Sequence, residues 1–365
     1  MKIWLLRRRY TATGGAERFT QRLAAMLHQR GHEVWIAAEK WPEPTDGSYR
    51  TLKISSSGPP AYDKAVFPRI VGRNDGLIFS LERTRRQHIF RAGDGVHAAW
   101  LDRRGRFQSG MQRLWASWSR KHQALLDLEK KTFQAQATEW VVANSPMVKR
   151  EILDRFPYPE DRIRVIHPGV DLETFRPCTD ANHRLELRRA LGIPHDAVTW
   201  CFVGSGFERK GLLWAIQIAA AQRKPQVRLV VLGKGKRNPF VHAAEKLGLG
   251  DRFLFAMEGT PALDVYHASD AFILPTIYDP CSNATLEAAA CGLPVITTTG
   301  NGAAEWAHGL VIADPSSTDE CAELCSVYAR PLDVSTCDMK SRAELDERPC
   351  WEAMMGVIGD AAKNI

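Results

Sequence analysis

The chain has 365 residues, of which 44% are hydrophobic and 25% charged, and its formal net charge is +7. These values are ordinary for a globular protein of about two to three domains. No stretch approaches the roughly 18 consecutive apolar residues of a membrane span. The apolar run at 3–6 is too short for a secretory signal and its charges follow it, so we expect a cytoplasmic protein.

Short apolar, β-branched or aromatic runs alternate with helical patterns along the whole chain. The runs lie at 3–6, 34–38, 77–80, 89–92, 140–143, 165–166, 198–203, 229–232, 253–255, 272–274, 295–297 and 310–312. Runs of this kind, each followed by a helical stretch, predict parallel strands covered by helices. Because twelve strands are too many for one comfortable sheet, we predict an α/β fold with two doubly wound sheets.

The break between the two groups of runs lies at 168–177, where proline, glycine and charged residues cluster as in a linker. We therefore predict an N-terminal domain over 1–170, a C-terminal domain over 171–345 and a final helical segment over 346–365. Ligands of doubly wound sheets bind beyond the carboxyl ends of the strands. The expected active site is a cleft between the two domains.

Basic residues and tryptophans are concentrated in 83–131. A solvated helix face and an anionic membrane surface or phosphorylated glycolipid are both open explanations. No recognisable nucleic-acid motif accompanies the charge, so nucleic acid is not an expected partner. Within this region, apolar residues at three-and-four spacing over 111–133 predict a core-facing helix stripe that includes Leu125 and Leu126.

The first candidate motif follows the first strand and contains Gly14, Gly15 and Glu17. Paired glycines let backbone N–H groups approach a phosphate at a helix N-terminus. The motif is not the G-x-G-x-x-G dinucleotide fingerprint. A plain strand-to-helix turn is the alternative reading.

The second motif, 204–211, places Arg209 and Lys210 after a glycine turn that starts at Gly204. Two cations at a strand's carboxyl end suit a diphosphate, and they would stabilise the charge that a departing nucleoside diphosphate gains. A solvated first helical turn is the alternative. Because cations are disfavoured at a helix N-terminus, a functional reading is favoured.

The third motif, 278–288, carries two carboxylates, Asp279 and Glu287, eight positions apart. Asn283 is a suitable N-cap, which would leave the N–H groups of Ala284, Thr285 and Leu286 free. A helix end for phosphate and a carboxylate one turn along for ribose hydroxyls form a nucleotide-sugar site.

This third segment resembles the E-x7-E motif of retaining family 4 glycosyltransferases, with Asp279 at the position of the first glutamate. The resemblance extends through 14–17, 144–145, 166–171, 204–211 and 292–295. The patterns at 91–97 and 204–207 are most similar to the lipopolysaccharide core α-glucosyltransferases of that family. The resemblance implies the GT-B fold, in which two Rossmann-like domains face each other across a cleft and the last helix returns to the first domain.

The resemblance also implies roles for individual residues. Glu287 would hold the donor ribose, Arg209 and Lys210 the diphosphate, and Asp279 the sugar hydroxyls. On the acceptor side, either Asp94 or His97 would orient or deprotonate the acceptor hydroxyl, although a capping aspartate or a core histidine is the alternative. The whole implied donor set is Gly14, Gly15, Gly204, Arg209, Lys210, Asp279, Ser282, Asn283, Ala284, Thr285 and Glu287.

The chain contains no Asp-x-Asp pair, and its eight cysteines show no zinc-ligand spacing. We therefore expect no metal and no cofactor, with Arg209 and Lys210 taking the place of a divalent ion. The implied reaction is the retaining transfer of a hexose from a UDP-sugar, such as UDP-glucose, to a saccharide or glycolipid acceptor in lipopolysaccharide core or cell-envelope glycan synthesis. A peripheral position at the inner membrane face is part of this expectation.

Two other functions are compatible with these residues. A glycoside hydrolase or phosphorylase could use the paired carboxylates, but Asp279 and Glu287 lie on one local segment rather than on two opposing ones. A non-catalytic nucleotide- or sugar-binding protein would not need Asp94 or His97. A nucleotide-sugar epimerase is disfavoured because no nicotinamide fingerprint is found.

Overall fold

The computed structural model describes residues 1–10, 15–73, 75–108, 119–222, 226–306, 309–333, 339–363 and 365. The chain forms two compact units. Unit 1 comprises Met1–Pro168 together with Pro349–Ile365, and unit 2 comprises Gly169–Arg348.

Unit 1 contains a seven-stranded parallel sheet in the order β3-β2-β1-β4-β5-β6-β7. Its elements in chain order are β1 (Lys2–Leu6), α1 (Gly15–Gln29), β2 (Glu33–Ala38), β3 (Arg50–Lys53), α2 (Pro59–Arg69), the 3₁₀ turn Val71–Arg73, β4 (Leu77–Ser80), β5 (Gln87–Ala92), α3 (His97–Arg106), α4 (Arg120–Thr132), β6 (Thr138–Ala143), α5 (Pro146–Arg155), the 3₁₀ turn Glu160–Arg162 and β7 (Ile163–Val165).

Unit 2 contains a six-stranded parallel sheet in the order β10-β9-β8-β11-β12-β13. Its elements are α6 (Ala181–Ala190), β8 (Thr199–Val203), α7 (Phe207–Lys210), α8 (Leu212–Ala221), β9 (Arg228–Leu232), α9 (Asn238–Lys246), the 3₁₀ turn Gly250–Arg252, β10 (Phe253–Phe255), α10 (Ala262–Ala268), β11 (Ala271–Leu274), α11 (Asn283–Ala290), β12 (Val295–Thr298), the 3₁₀ turn Gly302–Glu305, β13 (Gly309–Ile312), α12 (Thr318–Cys325), the 3₁₀ turn Ser326–Tyr328 and α13 (Met339–Ala343). The last helix, α14 (Glu347–Ala362), begins at the end of unit 2.

Side chains alternate between the two faces of a strand, so a strand that is apolar throughout needs helices on both faces of its sheet. In β1, Ile3 and Leu5 pack with α1 and α14, whereas Trp4 and Leu6 pack with α2. Within unit 1, Trp351 of α14 stacks on Phe19 of α1 with ring centroids 5.0 Å apart. This layering confirms the predicted α/β class with two doubly wound parallel sheets.

The strand predictions miss one edge strand of unit 1. All twelve predicted runs overlap strands, but β3 was missed because two of its four residues are charged and none is buried. An edge strand of this kind lacks the apolar run that marks a buried strand.

The predicted core stripe over 111–133 is wrong in its described part. Leu125 and Leu126 are only half-buried, while Leu128, Glu129 and Thr132 form the buried face of α4. Residues 111–118 of that stripe lie outside the described part of the chain. A search for apolar periodicity does not count a buried glutamate such as Glu129. The predicted buried face of the helix was therefore displaced from the observed one.

The strand order reverses between β1 and β4 in unit 1 and between β8 and β11 in unit 2. Neighbouring loops diverge at such a point and leave room for a ligand beyond the carboxyl ends of the strands. Each unit therefore has one expected ligand position, set by its topology.

Gly211 lies beside the reversal point of unit 2 with φ +78°, and a Cβ there would collide with the carbonyl oxygen of Pro275. Gly211→Ala should lower the free energy of unfolding by about 3 kcal/mol, because the strained backbone and the displaced loop both contribute. The matched control is Gly192→Ala, at φ +69° in open space, which should cost about 1 kcal/mol. Urea denaturation measures both, and equal losses would show that the contact with Pro275 is unimportant.

Candidate active site

The second motif lies at the reversal point of unit 2, directly after β8. Gly206 adopts φ +76°, the single turn α7 ends at Lys210, and Gly211 separates it from α8. Arg209 and Lys210 therefore do not open a helix, as the sequence suggested, but lie in the last turn of one. Cations are not disfavoured at that position, so their role is inferred from the contacts below and not from the helix dipole.

A buried ion pair joins the second and third motifs. Lys210 Nζ donates to Asp279 Oδ2, and the two residues are 8% and 6% exposed. Burial alone would raise the pKa of Asp279, but Lys210 and then Arg209 hold that pKa below its usual value. Gly204 packs beside the aliphatic chain of Lys210, since a Cβ at Gly204 would lie 3.6 Å from Lys210 Cε. The structure thus places an ionised carboxylate and an ammonium group together beyond the carboxyl ends of β8 and β11.

Arg209 links the same two loops and also reaches solvent. Its Nη1 donates to the carbonyl oxygen of Tyr278 at 2.7 Å and lies 3.7 Å from Asp279 Oδ2. Its own carbonyl oxygen accepts from Ile277 N and Thr276 Oγ1, both at 3.0 Å. Because its side chain is 43% exposed, the guanidinium can still donate to an incoming anion.

Asn301, which the sequence search missed, holds the loop that carries Asp279. Its Oδ1 accepts from Ser282 N at 3.3 Å, and its Nδ2 donates to Thr285 Oγ1 at 2.9 Å and to Thr297 Oγ1 at 3.0 Å. The backbones of Asp279 and Asn301 form a parallel bridge. The available signal was its position after β12, the next strand of the sheet.

The N-cap of α11 is Ser282, not Asn283 as predicted. Ser282 Oγ accepts from Thr285 N at 3.4 Å, and its carbonyl oxygen accepts from Thr285 N and Leu286 N at 3.1 and 3.2 Å. Two of the three N–H groups expected to be free are therefore bonded within the protein. Asn283 and Ala284 are the first two residues of the helix and are half-buried.

Glu287 lies one turn after the start of α11, and a hydrogen bond from Tyr266 positions its carboxylate. The fully buried Tyr266 hydroxyl donates to Glu287 Oε2 at 3.0 Å. Burial, reinforced by Glu287, raises the pKa of Tyr266 well above its usual value, so the hydroxyl keeps its proton and remains a donor. Tyr266 looked like an ordinary core residue in the sequence, because nothing local marks its partner.

On unit 1, Asp94 is exposed and belongs to a cluster around Arg7. Its Oδ2 lies 3.8 Å from Arg7 Nη1, and its side chain is 60% exposed. Arg7 also pairs with Glu17 at 3.0 Å and Glu82 at 3.4 Å. Arg7 and Glu82 were not predicted. Gly15 is the half-buried first residue of α1, and Gly14 lies outside the described residues.

His97 begins α3, and its backbone is held by a buried carboxylate. Glu129 Oε1 accepts from His97 N at 2.6 Å, and Oε2 accepts from Ala98 N at 3.0 Å. The ring Nε2 lies 3.1 Å from His122 Nδ1, and the ring stacks on Trp100. Burial, with smaller effects of nearby cations, lowers the pKa of His97 to about 4, so the imidazole is neutral at pH 7.

Among the described residues, no three histidine, cysteine, aspartate or glutamate side chains converge as a candidate metal site. None of the described helices has the length and apolarity needed to cross a membrane.

Comparison with known proteins adds the following. The family model described as Glycosyltransferase Family 4 matches residues 13–174, and the model described as Glycosyl transferases group 1 matches residues 197–328. A D-inositol 3-phosphate glycosyltransferase of Saccharomonospora viridis is 31% identical over 238 residues, covering 60% of this chain and 54% of that protein. Another from Kribbella flavida is 32% identical over 181 residues, covering 46% and 42%. The match thus spans about half the length of these relatives.

Two solved structures share the fold over nearly the whole chain. WaaG, a glycosyltransferase involved in lipopolysaccharide biosynthesis, has a TM-score of 0.77 at 21% identity, with 94% of each chain covered. Anabaena HepE, solved in complex with UDP and glucose, has a TM-score of 0.71 at 16% identity, with 99% of this chain and 100% of that one covered. These likenesses confirm the two-domain fold that the resemblance implied.

The buried pair makes a testable stability prediction. Lys210→Ala should lower the free energy of unfolding by about 3–5 kcal/mol, because it leaves the carboxylate of Asp279 buried and without its ammonium partner. Arg209→Ala, which removes a neighbouring but largely exposed cation, should cost no more than about 1 kcal/mol. Urea denaturation distinguishes the two. Similar losses for both variants would mean that Lys210 and Asp279 are not a buried pair.

Proposed function

We propose that the chain is a glycosyltransferase of the kind that the family 4 and group 1 models describe, since these models match residues 13–174 and 197–328. The proposed reaction transfers a hexose from a UDP-sugar to a saccharide or glycolipid. It proceeds with retention of configuration and without a metal ion. The observation that carries the proposal is the exposed guanidinium of Arg209 beside the buried Lys210–Asp279 pair. This group of charges lies where the strand order of unit 2 reverses, which is the position that the topology favours for a ligand.

The roles of the cations follow from the charge change in the reaction. When the bond from the sugar to the diphosphate breaks, the electron pair stays on the phosphate oxygen, and the leaving group gains one negative charge. A fixed cation at that oxygen is worth more in the transition state than in the ground state. Arg209 has donors available for this, whereas the charge of Lys210 is paired with Asp279 and serves to hold that carboxylate in place.

Asp279 and Glu287 are proposed to hold the two ends of the donor. An ionised carboxylate accepts hydrogen bonds from sugar hydroxyls, and Lys210 keeps Asp279 ionised and fixed in place. Tyr266 donates a hydrogen bond to one oxygen of Glu287 and so fixes the carboxylate. We propose that this carboxylate accepts hydrogen bonds from the ribose hydroxyls of the donor. Because Anabaena HepE was solved with UDP and glucose, UDP-glucose is the first donor to test.

The acceptor side is proposed to lie on unit 1. Asp94 is exposed, and His97 is neutral at pH 7, so either group can accept a hydrogen bond or a proton from an acceptor hydroxyl. A glycoside hydrolase is less well supported, because it needs a protonated acid, whereas Lys210 holds Asp279 ionised.

We further propose that the protein works at the cytoplasmic face of an anionic membrane, through a basic surface formed by α3 and α4. Its exposed members are Arg106, Arg120, Lys121, Lys130 and Lys131. Several other basic residues of the region pair internally: Arg83 with Glu129, Arg85 with Asp63 and Arg103 with Glu151. Exposed cations at a protein surface are the ones that anionic lipids attract.

Activity tests the reaction. UDP release should be measured with UDP-glucose, UDP-galactose and UDP-N-acetylglucosamine over a panel of saccharide acceptors, with and without EDTA. We expect release that EDTA does not change and a loss of about 10²–10³ in kcat for Arg209→Ala. Glu287→Ala should raise the donor KM, and Arg189→Ala, an exposed arginine of α6, should behave as wild type. Collapse on chelation would overturn the metal-free proposal.

Vesicle binding tests the membrane surface. The protein should sediment with phosphatidylglycerol vesicles and not with phosphatidylcholine vesicles, and added salt should weaken the binding because it screens surface charge. A Lys121, Lys130 and Lys131 triple alanine variant should lose most of the binding, whereas Arg189→Ala should retain it. Equal sedimentation with both lipids would contradict the proposal.

A further inference from the structure

The reversal point of unit 1 is occupied by the protein's own charges. Arg7 follows β1 and Glu82 follows β4, the two strands between which the order reverses. The guanidinium of Arg7 pairs with Glu17, Glu82 and Asp94, and only Asp94 is mainly exposed. One guanidinium is shared by three carboxylates, so the carboxyl ends of the strands in unit 1 present a negative group to an incoming molecule. The corresponding place in unit 2 presents a positive group.

A second anion-attracting feature of unit 1 is also occupied. The N-terminus of α3 would ordinarily attract a phosphate. Here the fully buried Glu129 already accepts its first two N–H groups and is paired with Arg83 Nε at 2.9 Å. Arg83 also donates to Gly95 O at 2.7 Å, so neither the helix end nor Arg83 needs an external anion.

Arg8, just after β1, and Arg91, near the end of β5, also have contacts within the protein. Arg8 lies 3.4 Å from Glu39, and the buried Arg91 lies 4.0 Å above the ring of Phe19. A phosphate that entered here would therefore meet Asp94 and would have to compete with carboxylates for Arg7 and Arg8. Placing like charges together in such a site is unfavourable.

Asn144 supplies an independent sign of a ligand. It follows β6, is 3% exposed, and donates from Nδ2 to Gly93 O at 3.3 Å, beside the turn that carries Asp94. Its Oδ1 is buried and accepts no hydrogen bond from the described residues. A buried carbonyl oxygen without a donor is costly, and a donor from a bound molecule would satisfy it.

We propose that the group entering unit 1 is an uncharged, polyhydroxylated sugar rather than a phosphorylated one, and that Asp94 and Asn144 accept hydrogen bonds from its hydroxyls. The proposal rests on the proposed function, since it names the acceptor class of that reaction. Sugar hydroxyls donate to both oxygens without bringing the negative charge that this edge disfavours.

Binding of phosphate tests the inference without turnover. UDP is first added to saturation so that the cations of unit 2 are occupied, and inorganic phosphate and D-inositol 3-phosphate are then titrated by calorimetry. We expect no saturable binding by the wild type. Glu129→Gln, which removes a negative charge but keeps an acceptor for the α3 N–H groups, should gain phosphate affinity. Saturable binding of either probe by the wild type would overturn the proposal.

Turnover tests whether a neutral sugar is the preferred acceptor. With the active donor, kcat/KM is compared within matched acceptor pairs: myo-inositol against D-inositol 3-phosphate, and a lipopolysaccharide core oligosaccharide before and after removal of its phosphates. We expect the neutral member to be favoured by about tenfold or more. Asp94→Asn, at an exposed position that should fold normally, should reduce that preference, and Asn144→Ala should raise the acceptor KM.

The two possible failures are distinguishable. Absence of UDP release with every donor and acceptor would reject the transferase proposal, while the calorimetric result would still decide whether unit 1 accepts phosphate. A preference for the phosphorylated member of a pair would reject the inference and leave the transferase proposal intact.

Discussion

The buried pair of Lys210 and Asp279 is the contact on which the candidate site depends. It joins the loop after β8 to the loop after β11, two strands that are adjacent in the sheet but 69 positions apart at the paired residues. Two charges taken out of water are tolerated only when they are well paired. The pairing also decides the chemistry: it keeps Asp279 ionised, and it leaves Arg209 as the exposed cation of the group.

The two units share one architecture and carry opposite electrostatics at the corresponding place. Both are doubly wound parallel sheets with a reversal point beside their first strand. In unit 2 that point presents Arg209, and in unit 1 it presents Asp94, with Arg7 buried among carboxylates. The topology therefore determines where a ligand can bind, while a few charged side chains determine whether it is an anion.

Local spacing predicted much of the candidate site. Arg209, Lys210, Asp279 and Glu287 lie within two short segments, each recognisable because charged residues and a helix start follow a buried strand. The errors were also local. Ser282 rather than Asn283 caps α11, and Lys210 ends a helical turn instead of opening a helix, because such boundaries depend on single backbone angles that composition does not encode.

The sequence by itself determined the two parallel sheets and the place of each motif at a strand's carboxyl end, since buried strands must be apolar and glycines must supply positive φ. Only the tertiary structure decided the partners. Asn301 under the Asp279 loop, Tyr266 under Glu287 and Glu129 at α3 come from distant parts of the chain. Hydrogen bonds and ion pairs act over a few ångströms, and only the packing of helices and strands brings these groups that close.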